Sequence, residues 1–158
     1  MKIIYAKKSF DHDKVKYGSI FLAGPTPRSS EVISWRPAAI ELFKKQNYAG
    51  MLLVPEETDG NWRGSYEDQV EWEEDGLRSA CCIMFWIPRK IPEMAALTTN
   101  DEWGFWKKSG KVVFGAPPDA ERVSYQRYYA NKYSVPNFSS LEDTVQGAIK
   151  MDLMWRLK

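Results

Sequence analysis

Four apolar runs of strand length punctuate the chain: residues 18–25 (Gly18-Ser19-Ile20-Phe21-Leu22-Ala23-Gly24-Pro25), 51–55 (Met51-Leu52-Leu53-Val54-Pro55), 82–87 (Cys82-Ile83-Met84-Phe85-Trp86-Ile87) and 112–116. They are continuous rather than alternating, so they predict strands covered on both faces, as in a parallel sheet. Segments of helix length lie between them. Ser34 caps a helix to about residue 48, with Trp35, Ala38, Ala39, Leu42 and Phe43 as its apolar stripe, and Ser65 caps another through about residue 79 whose Tyr66, Val70 and Leu77 face inward. The polar stretch 56–64 reads as a loop. A Pro-bounded loop, 88–97, leads into a short helix that carries Glu102; residues 120–132 form a further helix, and Ser139 or Ser140 caps the last one. Residues 1–5 add an edge strand, and a short extended piece lies around Val135 and Phe138.

Strands alternating with helices predict an α/β fold, a doubly wound, flavodoxin-like parallel sheet of about five strands with helices on both faces and right-handed crossovers. No repeat, low-complexity tract or linker divides residues 1–158, so a single domain is expected. The ligand crevice of such a sheet lies at the C-terminal ends of its first and third strands. Here those ends are Ala23-Gly24-Pro25-Thr26 and the loop that leads to Glu102.

Composition narrows the partners. With 22 basic and 21 acidic residues the net charge is +1, which gives no footprint for nucleic acid. No run approaches membrane-spanning length and the N-terminus lacks a secretory pattern, so a soluble cytoplasmic protein is expected, with no membrane partner. Cys81 and Cys82 are adjacent within an apolar run and read as core thiols. The lone His12, in a polar segment, reads as solvated; it leaves no His-rich metal site and no Ser-His or Cys-His nucleophile. No metal and no cofactor are called for.

Carboxylates are the remaining candidates for chemistry. Glu102 falls in Thr98-Thr99-Asn100-Asp101-Glu102-Trp103-Gly104, expected in the first turn of its helix, where the helix N-terminus keeps it ionised. An oriented carboxylate above a sheet is the nucleophile that glycosyl transfer at a sugar C1′ requires. On the plainer reading, Thr98, Thr99 or Asn100 caps the helix and the acids complement its dipole. Three groups converge on the same crevice. Gly24-Pro25 permits close backbone approach, and Thr26-Pro27-Arg28-Ser29-Ser30 offers hydroxyls and a guanidinium to a sugar or phosphate. Glu73, from the acidic Glu71-Trp72-Glu73-Glu74-Asp75, lies four residues before Leu77 on the same helix side. Glu56-Glu57 supplies acceptors for a nucleobase amine.

In order and spacing, Phe21-Leu22-Ala23-Gly24-Pro25, Pro55-Glu56-Glu57, the helix with Glu73, and Asn100-Asp101-Glu102-Trp103-Gly104 resemble the nucleoside 2-deoxyribosyltransferases. The Gly24-Pro25-Thr26-Pro27-Arg28 and Phe85-Trp86-Ile87-Pro88-Arg89 segments are similar to their nucleoside 2-deoxyribosyltransferase-like branch. The resemblance implies that Glu102 attacks C1′, that Glu73 handles the proton passed to the base, and that Glu57 recognises the base. It also implies that Phe21 stands where many members carry a Tyr. Two departures accompany it. Cys81 replaces an Asp at the start of the third strand, and Ala96 replaces the Asp that binds the sugar hydroxyl, leaving Asn100, Asp101 or Thr98 to substitute.

The resulting expectation is an enzyme that cleaves or exchanges the N-glycosidic bond of a nucleoside or nucleotide through a covalent intermediate, with its carboxylates roughly 5–5.5 Å apart. The alternative is a catalytically weak nucleotide-binding or sensor module using the same crevice. Trp103, Trp106, Tyr128, Tyr129 and Trp155 exceed what one core needs. With the resemblance, in which a neighbouring chain completes the site and Asn131 or Tyr128 is the matching residue, they imply a homo-oligomer.

Overall fold

The computed structural model describes residues 1–27, 29, 31–57 and 65–157. Its strands are β1 (Lys2–Tyr5), β2 (Ser19–Ala23), β3 (Met51–Val54), β4 (Cys82–Trp86), β5 (Val112–Gly115) and β6 (Asn137–Phe138). They form one sheet in the order β1-β3-β2-β4-β5-β6, and every pairing is parallel. From β2 onward this is the flavodoxin-like order, with β1 added outside β3 as a sixth strand. The chain therefore reverses direction across the sheet between β3 and β4, and β2 stands at that switch point.

The helices are α1 (His12–Val15), α2 (Arg36–Lys45), α3 (Tyr66–Ser79), α4 (Leu97–Trp106), α5 (Ser124–Lys132) and α6 (Leu141–Arg156). Alternation along each strand divides the core into two layers. Ile20, Leu22, Leu52, Val54, Met84 and Val113 pack against Ala39, Ile40 and Phe43 of α2 and Val145 and Ala148 of α6. Phe21, Ala23, Leu53, Ile83, Phe85 and Phe114 meet Trp72 and Leu77 of α3, Trp103 of α4 and Ala130 of α5. Both faces are thus covered, which is why the strands read as unbroken apolar runs.

Local chemistry explains where these helices begin and end. Ser65 caps α3 reciprocally with Asp68, whose backbone N–H donates to the Ser65 hydroxyl at 3.1 Å. At the other end Lys111 Nζ donates to the carbonyls of Leu77, Arg78 and Ala80 at 2.7–2.9 Å, a cation at a helix C-terminus whose burial lowers its pKa to about 8. Ser140, rather than Ser139, caps α6. The buried Asp152 then ties α6 to the start of the switch-point strand by accepting from the Ser19 N–H at 2.8 Å and from the Tyr48 hydroxyl at 3.0 Å.

Several side chains depart from the sequence reading. Ala38 is exposed and Ile40 takes its place in the α2 stripe. Tyr66 and Val70 are exposed, because the sheet-facing side of α3 is Gln69, Trp72, Gly76 and Leu77. His12 is not simply solvated: its ring reaches Asp75 at 3.3 Å and Ser79 at 3.3 Å, bracing α1 on α3. Trp103 belongs to the core, edge-on to Phe85 at 5.5 Å, and Trp106 and Tyr129 pack against it, so the aromatic surplus is smaller than the composition suggested. Cys81 and Cys82 are buried free thiols, as expected.

Candidate active site

A cleft of about 600 Å³, of a size that holds a small molecule, opens at the C-terminal ends of β2 and β3. Three parts of the chain build most of it, and Lys7 after β1, Arg36 of α2 and Pro55 after β3 complete the lining. Phe21, Ala23, Gly24, Pro25 and Thr26 come from β2 and the turn after it; Ser65, Tyr66, Gln69, Val70 and Glu73 come from α3; Ala95, Ala96, Leu97, Thr98, Thr99 and Glu102 come from α4 and its approach. Gly24 has a positive φ of 150°, and a Cβ on it would lie 2.2 Å from the Trp86 carbonyl oxygen. Only glycine lets the turn pass this close to the end of β4.

The turn is held from beneath by Arg36, a residue that the sequence reading did not select. Its side chain is 1% exposed. Nε donates to the Leu22 carbonyl at 3.1 Å, Nη2 to the Gly24 carbonyl at 2.7 Å, and Nη1 to the Thr26 hydroxyl at 3.0 Å and to Glu56 at 2.5 Å. Trp35 Nε1 adds a bond to the Pro25 carbonyl at 3.1 Å. An arginine at the start of a helix reads as solvated surface; the one hint was its place between the apolar Trp35 and the stripe of α2.

Burial of Trp103 anchors α4 on the sheet, and the neighbouring position, Glu102, then turns to the cleft with Thr98 and Thr99. The helix starts earlier than expected. Its N-cap is Ala96 in a left-handed conformation (φ 59°) with no side-chain cap, so neither Thr98, Thr99 nor Asn100 caps it. Glu102 is consequently the sixth helical residue, in the second turn, where the field of the helix N-terminus has faded.

Its charge state changes accordingly. Burial, then the Glu73 carboxylate, raise the Glu102 pKa to about 8, with Asp101 adding to the rise and Arg36 opposing it. The expectation of a permanently ionised Glu102 is thereby corrected: it holds its proton at neutral pH. Glu73 is also raised, by burial, against the opposing pull of its hydrogen bond from Gln69 and of the Arg36 charge. Two carboxyl groups in one partly buried wall share a deficit of solvation, and Arg36 is the cation that offsets it.

The remaining candidates separate. Phe21, Gly24, Pro25, Thr26, Thr98, Glu73 and Glu102 share the cleft wall. Asn100 does not: its side-chain carbonyl accepts from Gln126 Nε2 at 2.7 Å and from Arg89, on the far side of α4. Asp101 is exposed, one position round the helix. Of the three proposed substitutes for the missing Asp, only Thr98 lines the cleft, as does Ala96 itself. Glu57 pairs with Lys7 at 3.7 Å and Glu56 bonds Arg36 and Ser34, and neither lines the cleft. Arg28 and Ser30, with residues 58–64 of the expected loop, lie outside the described residues. Tyr128 is exposed and Asn131 bonds Asn137; neither is part of this wall.

A family model described as nucleoside 2-deoxyribosyltransferase like matches residues 17–120, about two thirds of the chain. The chain belongs to this nucleoside 2-deoxyribosyltransferase-like family. The matched span runs from just before β2 to just past β5 and holds every cleft residue named above except Lys7, which enters from the β1 side. Among curated proteins no match is found. Family membership supports glycosyl transfer on nucleosides as the general chemistry, with a small nucleoside as the ligand class. No helix among the described residues is long and apolar enough to cross a membrane.

The raised Glu102 pKa links the site to stability. Between the ordinary carboxylate value of 4.5 and about 8, the folded chain binds a proton at Glu102 that the unfolded chain has released, so stability falls as pH rises through that window. Glu102→Gln removes the burden, and urea unfolding at pH 8 should show the variant more stable by on the order of 2–4 kcal/mol, with the gap closing below about pH 4. Equal stabilities at pH 8 would mean that Glu102 ionises freely.

Proposed function

We propose that the cleft cleaves, or exchanges the base of, a nucleoside or nucleotide with retention at C1′, through a glycosyl ester on Glu102. The observation that carries this reading is the pair of half-buried carboxyl groups, Glu73 on α3 and Glu102 on α4, facing one nucleoside-sized cleft in a chain of this family. The pair holds a proton near neutral pH, the state a retaining mechanism begins from, since one group must attack as an anion while the other acts as an acid.

In the reactive arrangement the proton sits on Glu73. A Glu102 oxygen bonds to C1′, the C1′–N bond breaks with its electron pair going to the base, and Glu73 delivers the proton to a base nitrogen. In the second half, water or an incoming base attacks C1′ and gives its proton to Glu73, and the Glu102 carboxylate is released. Arg36 steadies the negative charge of the pair without touching the reacting atoms, and Thr98 takes a sugar hydroxyl from the α4 side. Phe21 supplies the floor of the cleft but no hydroxyl.

Free base should appear when the protein is incubated with mixed nucleosides and nucleotides and the products are separated by chromatography. The value of kcat/KM should fall as pH rises past about 8, because the pair then loses the one proton that Glu73 must deliver to the base. In Glu73→Gln the falling limb should give way to a rise with pH, since no acid is left to lose and the residual activity needs Glu102 ionised. Binding of nucleotides without release of any base would reject the catalytic reading in favour of the non-catalytic binding module.

A further inference from the structure

Five buried side-chain polar atoms lack a hydrogen-bond partner among the described residues: Gln69 Oε1, Arg89 Nε, Trp103 Nε1, Gln126 Oε1 and Arg156 Nε. Gln69 is the one of these residues that lines the cleft. It is 6% exposed, sits one helical turn before Glu73, and donates from Nε2 to Glu73 Oε1. That bond sets the orientation of the amide. Glu73 Oε1 accepts that bond whether the group is a carboxylate or carries its proton on Oε2, so the NH₂ group faces Glu73, and the amide oxygen is left as an unpaired, buried acceptor in a residue of the cleft wall. A buried acceptor without a partner is a standing cost that a ligand donor would relieve.

The two residues form a compound reader. Oε1 of Gln69 asks for an N–H or O–H from the ligand, and the adjacent Glu73, when protonated, asks for an acceptor. We propose that Gln69 determines base specificity in this cleft, and that with Glu73 it selects an amino-purine, which presents an N–H donor beside a ring-nitrogen acceptor, over an oxo-purine. Adenine carries that pair at its 6-amino group and N7, whereas an oxo-purine such as hypoxanthine puts two acceptors on the same edge. An oxo group would set oxygen against Gln69 Oε1. Turning the amide over to meet it would set Oε1 against Glu73 instead. The assignment of a purine base as the ligand rests on the N-glycosidic reading above; the unpaired acceptor at the cleft wall does not.

The test measures kcat/KM for base release from adenine and hypoxanthine nucleosides of the same sugar, alongside calorimetric binding of free adenine and free hypoxanthine to the full chain. The unmodified protein should favour adenine by about ten- to hundredfold. Gln69→Leu, of similar volume, should reduce that ratio to within about threefold, the adenine arm losing more than the common loss that both substrates suffer with the Glu73 hydrogen bond. A Gln69 that merely held Glu73 in place would lower both substrates equally when replaced, and that result would overturn the proposal, as would an unmodified protein with no preference. Should no base be released at all, the catalytic reading fails and binding decides the question for Gln69. A preference for free adenine that Gln69→Leu abolishes supports the proposal, and equal or absent binding of the two bases refutes it.

Discussion

Glu102→Gln is expected to lower base release by about a thousandfold or more while nucleotide binding survives. The amide keeps the size of the carboxylate and part of its hydrogen bonding, but it has no anionic oxygen to attack C1′ and no charge to stabilise an oxocarbenium-like transition state. Single-turnover measurement isolates the effect, because binding and product release are then separated from chemistry. Glu73→Gln should cost less, about a hundredfold, since it removes proton delivery and leaves the nucleophile. A slow 2-fluoro-2-deoxy nucleoside should leave a glycosyl adduct on Glu102 that mass spectrometry of the digested protein locates. Full activity in Glu102→Gln would end the covalent reading. Asp101 is a poor substitute nucleophile, because α4 turns it to solvent while Glu102 faces the cleft.

The second large effect is on stability. Arg36→Met is expected to cost about 3–5 kcal/mol, read by urea unfolding at neutral pH. The substitution retains much of the side-chain bulk yet removes a buried cation that bonds two main-chain carbonyls at 3.1 Å or less, the Thr26 hydroxyl and Glu56, leaving the Glu56 charge without its closest counter-ion. The same change should push the Glu102 pKa higher, since the Arg36 charge opposes its rise. A loss below about 1 kcal/mol would show that the turn at Gly24 holds without Arg36.

These two residues mark the boundary of what sequence reading reaches. Glu102 is legible because a carboxylate near the start of a helix beyond a buried strand, followed by an aromatic and a glycine, is a local pattern carried by neighbouring residues. Arg36 has no such mark. Its function depends on the carbonyls of residues 22 and 24 and on Glu56, all at least ten positions away in the chain, which meet it only when β2 and β3 pair and α2 folds back across them. Gln69 was passed over for a related reason. A glutamine in an acidic helix looks solvated until packing turns its side of α3 toward the sheet and hides the unpaired oxygen. The misplacement of Tyr66 and Val70 has the same origin, since the periodicity of a helix gives the spacing of a face but not which of two apolar-edged faces meets the core.

By itself the amino-acid sequence determined the strand runs, the alternation with helices, the parallel sheet with its switch point at the end of β2, and the candidacy of Glu73 and Glu102, because burial on both faces and local turn chemistry leave their record in neighbouring residues. Only the tertiary structure decided the rest: that Asn100, Asp101 and Glu57 stand off the cleft, that Arg36 and Gln69 belong to it, and that Glu102 holds its proton. A charge state is set by solvent access and by charges brought together from separate elements, Glu73 from α3 and Arg36 from α2, and no local run of residues records those distances.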